Sequence, residues 1–337
     1  MKINFVERSA LPALIKRFPH QHIVLLGDLV ADEFIYGEIA RVSREAPVLI
    51  LKQREKQIVP GGGANAANNL ADLGARVTPV GAVGDDEAGE ALLRYFRQKG
   101  ISTSRVAHLR GYPTPTKSRI LGGLTHWQRQ QIVRIDREPP RALGREVRRR
   151  LRASVVSLLG KASALLISDY GYGATDAREV DFLRRRAGRK PVPTTVDSRY
   201  DLLAYTKVTA ATPNEPEIEE AFGARVGNNV ELLYRLGRRV LRRQSLEALL
   251  VTRGRDGMVL FERGQKPRHI PIFGSDQVAD VTGAGDTVIA AFTLALAAGA
   301  SFYQAAQLAN CAGGLVVMKR GTATVTGREL EEAIRNA

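Results

Sequence analysis

Residues 61–100 read GGGANAANNLADLGARVTPVGAVGDDEAGEALLRYFRQKG, and this stretch decides the class of fold. A glycine-led helical pattern fills 61–75, an apolar run fills 76–84, and a second helical pattern over 86–100 ends in glycine. Apolar residues recur every three to four positions in an amphipathic helix, whereas a short continuous apolar run is typical of a buried strand. The stretch therefore predicts helix, strand and helix in succession, as in an α/β fold.

The same alternation extends along most of the chain. The apolar runs HIVLLGD (22–28), ALLISDY (164–170) and EALLVTRG (247–254) predict further strands, and helical patterns lie between them. Strands that alternate with helices pair in parallel, because each helix returns the chain to the edge where the previous strand began. We therefore expect an α/β fold with a mostly parallel central sheet and helices on both faces.

Two segments interrupt this alternation. Residues 33–58 and 112–135 alternate apolar with polar side chains and contain no helical pattern. Such alternation is typical of half-buried antiparallel strands. Neither segment is long enough to bury a core of its own, so we expect a small β-sheet that covers a cleft as a lid.

The composition is that of an ordinary globular protein, with 337 residues of which 44% are hydrophobic and 25% charged. Cys311 is the single cysteine, which excludes an intramolecular disulfide and a cysteine-rich metal site. Neither a secretory leader pattern nor an apolar segment of membrane-spanning length is present. These features predict a cytoplasmic protein that has no membrane partner.

A net charge of +15 suggests nucleic acid as a partner, because clustered cations release counterions from phosphates. The basic clusters at 145–154, 183–190 and 235–244, however, place arginines between apolar residues at helical spacing. We therefore expect three solvated helix faces and no nucleic-acid partner. A non-catalytic, nucleic-acid-associated protein remains the distant alternative.

The stretch ADVTGAGDT (279–287) stands directly before an apolar helical run. The first turn of a helix has unpaired N–H groups and partial positive charge, which suit an anion. Gly283 and Gly285 have no Cβ, so a phosphate can approach the backbone closely. Asp286 beside such an anion is suited to accept the proton of a hydroxyl that attacks phosphorus. The alternative is that Asp286 only caps the helix.

The glycine cluster at 61–63 leads into a second helix that carries Asn65 in its first turn. An amide side chain supplies both a donor and an acceptor, so this segment can bind the hydroxyl groups of a polar ligand such as a sugar. A tight loop with no ligand is the alternative.

The two segments together, GGGANAANNLADLGA and DVTGAGDTVIAAF, resemble the two signatures of the ribokinase family of carbohydrate kinases, also called the PfkB family. The resemblance covers about residues 22–330 and implies a ribokinase-like three-layer sandwich with a β lid. It also implies ATP-dependent phosphorylation of a sugar hydroxyl. We expect the kinase domain over 20–337 and an N-terminal extension over 1–19.

The resemblance implies a role for individual residues near the reacting groups. Asp286 is the implied catalytic base, and the implied anion hole consists of Gly283, Ala284 and Gly285. The implied sugar-binding residues are Asp32, Gly61, Gly62 and Asn65.

The resemblance further implies nucleotide and metal sites. The implied ATP-binding residues are Asn214, Glu215, Pro216 and Glu217 of an Asn-x-x-Glu motif, Thr252 and Gly254 of VTRG, and Asn310 in a helix beside the adenine. Glu217 is also the implied Mg²⁺ residue, acting through ordered water. The implied site for a monovalent cation, K⁺ in many members, consists of Asp280, Thr282 and Gly321.

Within the family, the stretches RVSREAPV (41–48), SDYGYG (168–173) and GTATVT (321–326) are most similar to the kinase module of bacterial heptose 7-phosphate kinases. The acceptor is therefore expected to be D-glycero-D-manno-heptose 7-phosphate, phosphorylated at position 1. Tyr172 and Arg199 stand where that subfamily has lysines. These departures keep an unphosphorylated sugar or a nucleoside as the alternative acceptor.

A phosphorylated acceptor requires cations near the lid. Lys117, Arg119, Arg134 and Arg44 lie on the two lid segments, and an arginine fork matches the geometry of a phosphate. The alternative is that these are solvated strand residues. Because lids of the family often pair between subunits, we also expect a homodimer through the lid.

Overall fold

The structure is a computed structural model, and it describes residues 10–123, 130–140, 142–186, 192–274, 280–319 and 321–336. Trp127 and His126, which the sequence places on the lid, lie outside the described residues. The strands are β1 (His22–Gly27), β2 (Leu29–Val42), β3 (Leu49–Gly61), β4 (Arg76–Gly84), β5 (Val106–Leu109), β6 (Thr116–Gly123), β7 (Gln130–Arg137), β8 (Ala164–Asp169), β9 (Thr194–Ser198), β10 (Ala210–Ala211), β11 (Ala248–Thr252), β12 (Met258–Glu262) and β13 (Arg268–Ile270). The α-helices are α1 (Leu11–Ile15), α2 (Gly62–Asp72), α3 (Glu87–Gln98), α4 (Arg145–Leu159), α5 (Ala177–Arg186), α6 (Glu215–Phe222), α7 (Val230–Arg243), α8 (Ala284–Ala297), α9 (Phe302–Val317) and α10 (Gly327–Asn336).

The larger sheet has nine strands in the order β13-β12-β11-β10-β9-β8-β1-β4-β5. Every neighbouring pair from β11 to β5 is parallel, and the two pairs at the other edge, β11 with β12 and β12 with β13, are antiparallel. Parallel strands place all their carboxyl ends at one edge, where ligands of α/β proteins bind. The predicted mostly parallel sheet is therefore confirmed.

Side chains of β1 show why helices cover both faces of this sheet. Ile23 and Leu25 are buried in one cluster with α1, α2, α3, α8, α9 and α10. Val24 and Leu26 are buried in a second cluster with α4, α5, α6 and α7. Successive side chains of a strand point to opposite faces, so the continuous apolar run HIVLLG predicts the three-layer arrangement that the structure has.

The segment that the sequence assigns to an N-terminal extension contributes to the first of these clusters. Leu11 and Phe18 are completely buried, and α1 contacts α10 near the other end of the chain. The described part of residues 1–19, from residue 10 onward, thus packs as part of the core.

A smaller sheet has the strand order β3-β2-β6-β7 and forms the predicted lid. Each predicted segment makes an antiparallel hairpin, β2 with β3 and β6 with β7. The prediction of antiparallel strands was wrong for the contact between the two segments, because β2 and β6 are parallel. Both strands leave the same edge of the large sheet, one after β1 and the other after β5, and so they run outward together. The prediction of half-buried strands fails for β7, which is exposed along its whole length.

The clusters at 145–154 and 235–244 lie on α4 and α7, as the helical spacing predicts, and residues 183–186 of the third lie on α5, while 187–190 lie outside the described residues. Several of these arginines pair with carboxylates one turn away, including Arg149 with Glu146 and Arg185 with Asp181. Such pairs are typical of solvated helix faces. Within the described ranges, none of the helices has both the length and the apolar character needed to cross a membrane.

Candidate active site

A cleft of about 480 Å³ opens at the carboxyl edge of the large sheet, beneath the lid. Many of the predicted site residues line it, although they come from seven different elements and the loops between them. These lining residues are Asp32, Gly62, Lys117, Arg119, Arg134, Asn214, Glu217, Thr252, Thr282, Gly283, Gly285 and Asp286.

Asp286 lies in the first turn of α8 at the centre of the cleft and is only 4% exposed. Its Oδ2 accepts a hydrogen bond of 2.9 Å from Asn65 Nδ2, and its Oδ1 accepts one of 2.9 Å from the Tyr170 hydroxyl. Burial raises the pKa of Asp286 to about 7, although the two hydrogen bonds act in the opposite direction. Such a carboxyl can take up a proton near neutral pH.

The N-terminus of α8 has the form expected of an anion site. Gly283 is the N-cap residue, with a left-handed φ of 78°, and no side chain among the described residues caps this terminus. The alternative in which Asp286 serves as the helix cap is therefore wrong, because its carboxylate bonds to Asn65 and Tyr170. Ala284 and Gly285 are the first two residues of α8, and the helix beyond them is almost wholly buried.

The residues assigned to the sugar meet where β2, β3 and α2 join. Asp32 is buried and accepts a 2.6 Å hydrogen bond from Arg119 Nη1. A Cβ on Gly61 would lie 2.7 Å from the Asp32 carboxyl group, so only glycine fits there. The Asn65 amide contacts protein groups on both sides, because Nδ2 donates to Asp286 and Oδ1 accepts from Asn69.

The cations of the lid divide into paired and unpaired groups. Arg119 pairs with Asp32, and Arg134 makes two hydrogen bonds, of 2.8 and 2.9 Å, to Asp136. Lys117 lies over the Tyr170 ring, with Nζ 4.9 Å from the ring centroid, and burial lowers the pKa of Lys117. Arg44, in the exposed turn between β2 and β3, is not among the residues that line the cleft.

Arg199, which the sequence marked only as a departure from the subfamily, also lines the cleft. Among the residues that the structure describes, neither Lys117 nor Arg199 has a carboxylate oxygen within 4.0 Å. Each is attracted by a carboxylate at longer range, Lys117 by Asp32 and Arg199 by Glu217, but neither is held in a direct ion pair inside the cleft.

The Asn-x-x-Glu motif forms the start of α6. Asn214 and Glu217 make a reciprocal capping box, in which Glu217 N donates to Asn214 Oδ1 at 2.8 Å and Asn214 N donates to Glu217 Oε2 at 2.9 Å. Pro216 occupies the first turn, and Glu215 accepts a 2.7 Å hydrogen bond from Arg253 Nε. The motif thus has a structural role besides its predicted one.

A second pocket, of about 180 Å³, adjoins the cleft at Thr252, Val281 and Gly285. Its walls are mainly apolar and also include the predicted residues Gly254 and Asn310. Asn310 Nδ2 donates to the Pro271 carbonyl at 2.8 Å. An apolar slot with a few polar groups suits a flat aromatic ring.

Two groups could hold cations. Burial raises the pKa of Glu217, and burial together with the nearby Glu217 and Asp286 carboxylates raises that of Asp197. This concentration of negative charge fits a divalent ion near Glu217, because Mg²⁺ prefers oxygen ligands. Asp280 accepts hydrogen bonds from Thr282 N at 2.9 Å and from Gly321 N at 3.2 Å, which brings the three residues of the predicted monovalent site together.

Sequence reasoning missed Asp28, Tyr170, Asp197 and Arg199 as functional candidates. Asp28, Tyr170 and Arg199 each directly follow a strand of the large sheet, and Asp197 is the last residue but one of β9. That position was a usable signal, because the ends of parallel strands converge on the ligand side of the sheet.

Comparisons with known proteins identify the architecture around this cleft. Residues 21–327 match the family model described as pfkB family carbohydrate kinase. The bifunctional protein HldE of Pelobacter propionicus is 36% identical over 330 residues, which are 98% of this chain and 66% of that protein. HldE of Pseudomonas aeruginosa is 37% identical over 95% of this chain and 65% of its own length. The chain thus spans about two thirds of the length of these curated relatives.

Solved structures show the same fold at low sequence identity. Arabidopsis thaliana ribokinase, complexed with ribose and ATP, superposes with a TM-score of 0.71 at 20% identity, over 94% of this chain and 98% of that one. Escherichia coli phosphofructokinase-2, in complex with substrates and products, gives a TM-score of 0.74 at 18% identity, over 94% and 99% of the two chains.

Proposed function

The chain belongs to the pfkB family of carbohydrate kinases, which are phosphotransferases with a hydroxyl acceptor, and from this premise we propose that it transfers the γ-phosphoryl group of ATP to heptose 7-phosphate at position 1. The observation that carries the choice of acceptor is the position of Lys117 and Arg199 in the cleft that contains Asp286, where neither has a carboxylate oxygen of the described residues within 4.0 Å. Two cations with no carboxylate partner suit an acceptor that already bears a phosphate. An unphosphorylated sugar or a nucleoside would offer these two cations no phosphate to bind.

The proposed mechanism assigns the chemistry to residues around Asp286. The acceptor hydroxyl donates its proton to Asp286 as its oxygen attacks the γ-phosphorus, and the bond from phosphorus to the bridging oxygen of ADP breaks. The N–H groups of Gly283, Ala284 and Gly285 at the start of α8 stabilise the charge on the transferring group, and that of Ala284, which donates to the Val281 carbonyl at 3.2 Å, is shared between that carbonyl and the transferring group. The lid excludes water, which would otherwise compete as the acceptor.

The nucleotide is proposed to bind along the two connected pockets. The adenine ring fits the apolar slot beside Asn310, and the phosphates extend past Thr252 towards Gly285. Mg²⁺ near Glu217 would neutralise phosphate charge when bound. K⁺ is proposed at Asp280, Thr282 and Gly321, close to the N-terminus of α8.

The experiment that tests this function measures ADP formation from ATP with a panel of acceptors. The panel contains heptose 7-phosphate, the unphosphorylated heptose, ribose, fructose, fructose 6-phosphate and adenosine, each with and without Mg²⁺ and K⁺. We expect the highest kcat/KM for heptose 7-phosphate and an absolute need for Mg²⁺. Faster turnover of an unphosphorylated acceptor would overturn the proposed substrate and leave the kinase family intact.

A Lys117→Ala variant is expected to raise the KM for the sugar phosphate about 10- to 100-fold, because a charge-assisted hydrogen bond to phosphate is lost. The KM for ATP should not change. Steady-state kinetics in both substrates measure the effect, and Lys52→Ala, on the exposed part of lid strand β3, is the matched control. An unchanged KM for the sugar phosphate in Lys117→Ala would remove this residue from the acceptor site.

We also propose that the lid mediates a homodimer. Six apolar side chains of the lid are between 40% and 59% exposed, namely Val42, Val48, Leu49, Ile132, Val133 and Ile135. Light scattering coupled to gel filtration should give twice the mass of the chain, and Ile135→Lys should convert the dimer to monomer because a charge would be buried at the contact. A wild-type monomer at micromolar concentration would contradict this proposal.

A further inference from the structure

Tyr170 is the first residue after β8, and its side chain reaches the centre of the cleft. Its hydroxyl donates a 2.9 Å hydrogen bond to Asp286 Oδ1. Asn65 occupies the other carboxylate oxygen, so the two donors fix the plane of the Asp286 carboxylate. Each oxygen retains a lone pair that can accept the proton of an incoming hydroxyl.

Tyr170 is itself held from three sides. The buried carboxylate of Asp28 accepts hydrogen bonds from the backbone N–H groups of Tyr170 at 2.9 Å, Tyr172 at 3.0 Å and Ala174 at 2.9 Å. Lys117 lies over one face of the Tyr170 ring. A Cβ on Gly62 would come within 3.1 Å of the ring, so the glycine leaves room for it.

We propose that Tyr170 is a positioning residue for the general base. Its hydroxyl holds the Asp286 carboxylate in the anionic form and in the orientation that receives the acceptor proton. The inference rests on the proposed function, because it concerns how the base of that reaction is prepared. Asp28 supports this positioning indirectly, since its carboxylate fixes the backbone that carries Tyr170.

The charges around Asp286 determine how the Tyr170 hydroxyl affects the ionisation of this carboxyl. Asp32 and Asp197 face it with negative charge, and Lys117 faces it with positive charge. Burial and the neighbouring carboxylates raise the pKa of Tyr170 well above its usual range. Tyr170 therefore remains a protonated donor at every working pH and favours the ionised form of Asp286.

The test is Tyr170→Phe, which removes one hydroxyl from a buried ring. Losing a hydrogen bond to the ionised base raises its pKa by about one unit. The acidic limb of the kcat/KM profile should move up by that amount, since the limb reports the free enzyme. At pH 7 the variant should lose about fivefold in kcat/KM, because the pKa of the base rises from about 7 to about 8, and at pH 9 it should approach wild type. The melting temperature and the KM for ATP serve as checks on the fold.

Tyr234→Phe, the same change on α7 and away from the cleft, should leave the profile unchanged. An unmoved acidic limb in Tyr170→Phe, or an equal loss of activity at every pH, would overturn the proposal. A titration of Asp286 by NMR on ¹³C-labelled protein, assigned with Asp286→Asn, gives a readout that needs no substrate. If wild type phosphorylates no sugar, the proposed function fails, whereas this titration still decides whether Tyr170 controls the base.

Discussion

An Asp286→Asn variant is expected to lose about 10²- to 10⁴-fold in kcat, which is the usual contribution of a general base. The amide has the size of the carboxylate and cannot accept the hydroxyl proton. Its oxygen can still accept from Asn65, and its NH₂ group can donate to the Tyr170 oxygen, because a hydroxyl is both donor and acceptor. The fold and the affinity for ATP should therefore be retained.

Three measurements check this result: kcat from ADP formation, the ATP dissociation constant from calorimetry, and the melting temperature. Asp181→Asn, on α5 and remote from the cleft, is the matched control and should keep the wild-type kcat. If Asp286→Asn retained more than about a tenth of the wild-type kcat, the assignment of the base would be wrong.

A Gly283→Ala variant is expected to lower kcat by about 100-fold, because a displacement of about 1 Å at a reacting group has this effect. The new Cβ would lie 2.5 Å from Asn65 Nδ2 and 3.2 Å from Thr322 Cγ2. Either Asn65 or the start of α8 must move, and both position Asp286. The left-handed φ of 78° adds about 1–2 kcal/mol of strain, which should lower the free energy of unfolding.

Gly285→Ala provides the contrast, two residues further along the same turn. A Cβ there meets no heavy atom within 4 Å, and it extends towards the cleft. Its free energy of unfolding should equal that of wild type, whereas its KM for ATP should rise as the methyl group occupies space proposed for a phosphate. Chemical denaturation and steady-state kinetics separate the two variants. Equal stability losses at both positions would contradict the structural reason given for Gly283.

The features that the sequence predicted well depend on local patterns. The strand and helix over 76–100 follow from the hydrophobic periodicity of that stretch alone. The start of α8 at Gly283 follows from glycines before an apolar helical run, a signal contained within a few residues, and the anion site there stays a prediction. Such features need no knowledge of which strands become neighbours.

The features that escaped prediction depend on contacts between distant segments. The bond from Tyr170 to Asp286 joins residues 116 positions apart, and that from Arg119 to Asp32 joins residues 87 apart. The parallel pairing of β2 with β6 likewise requires knowing that β1 and β5 end at the same edge of the sheet. Single-sequence periodicity contains no information of this kind.

One consequence of the fold concerns mechanics. Asp28 is the single residue between the last residue of β1, in the large sheet, and the first residue of β2, in the lid. Any rotation of the lid about this joint turns the Asp28 backbone, and its carboxylate is bonded to three N–H groups of the loop that carries Tyr170. Asp28 therefore links the junction of the two sheets to the loop whose Tyr170 hydroxyl bonds to Asp286, so we expect a displacement of the lid at this junction to be transmitted to the proposed base.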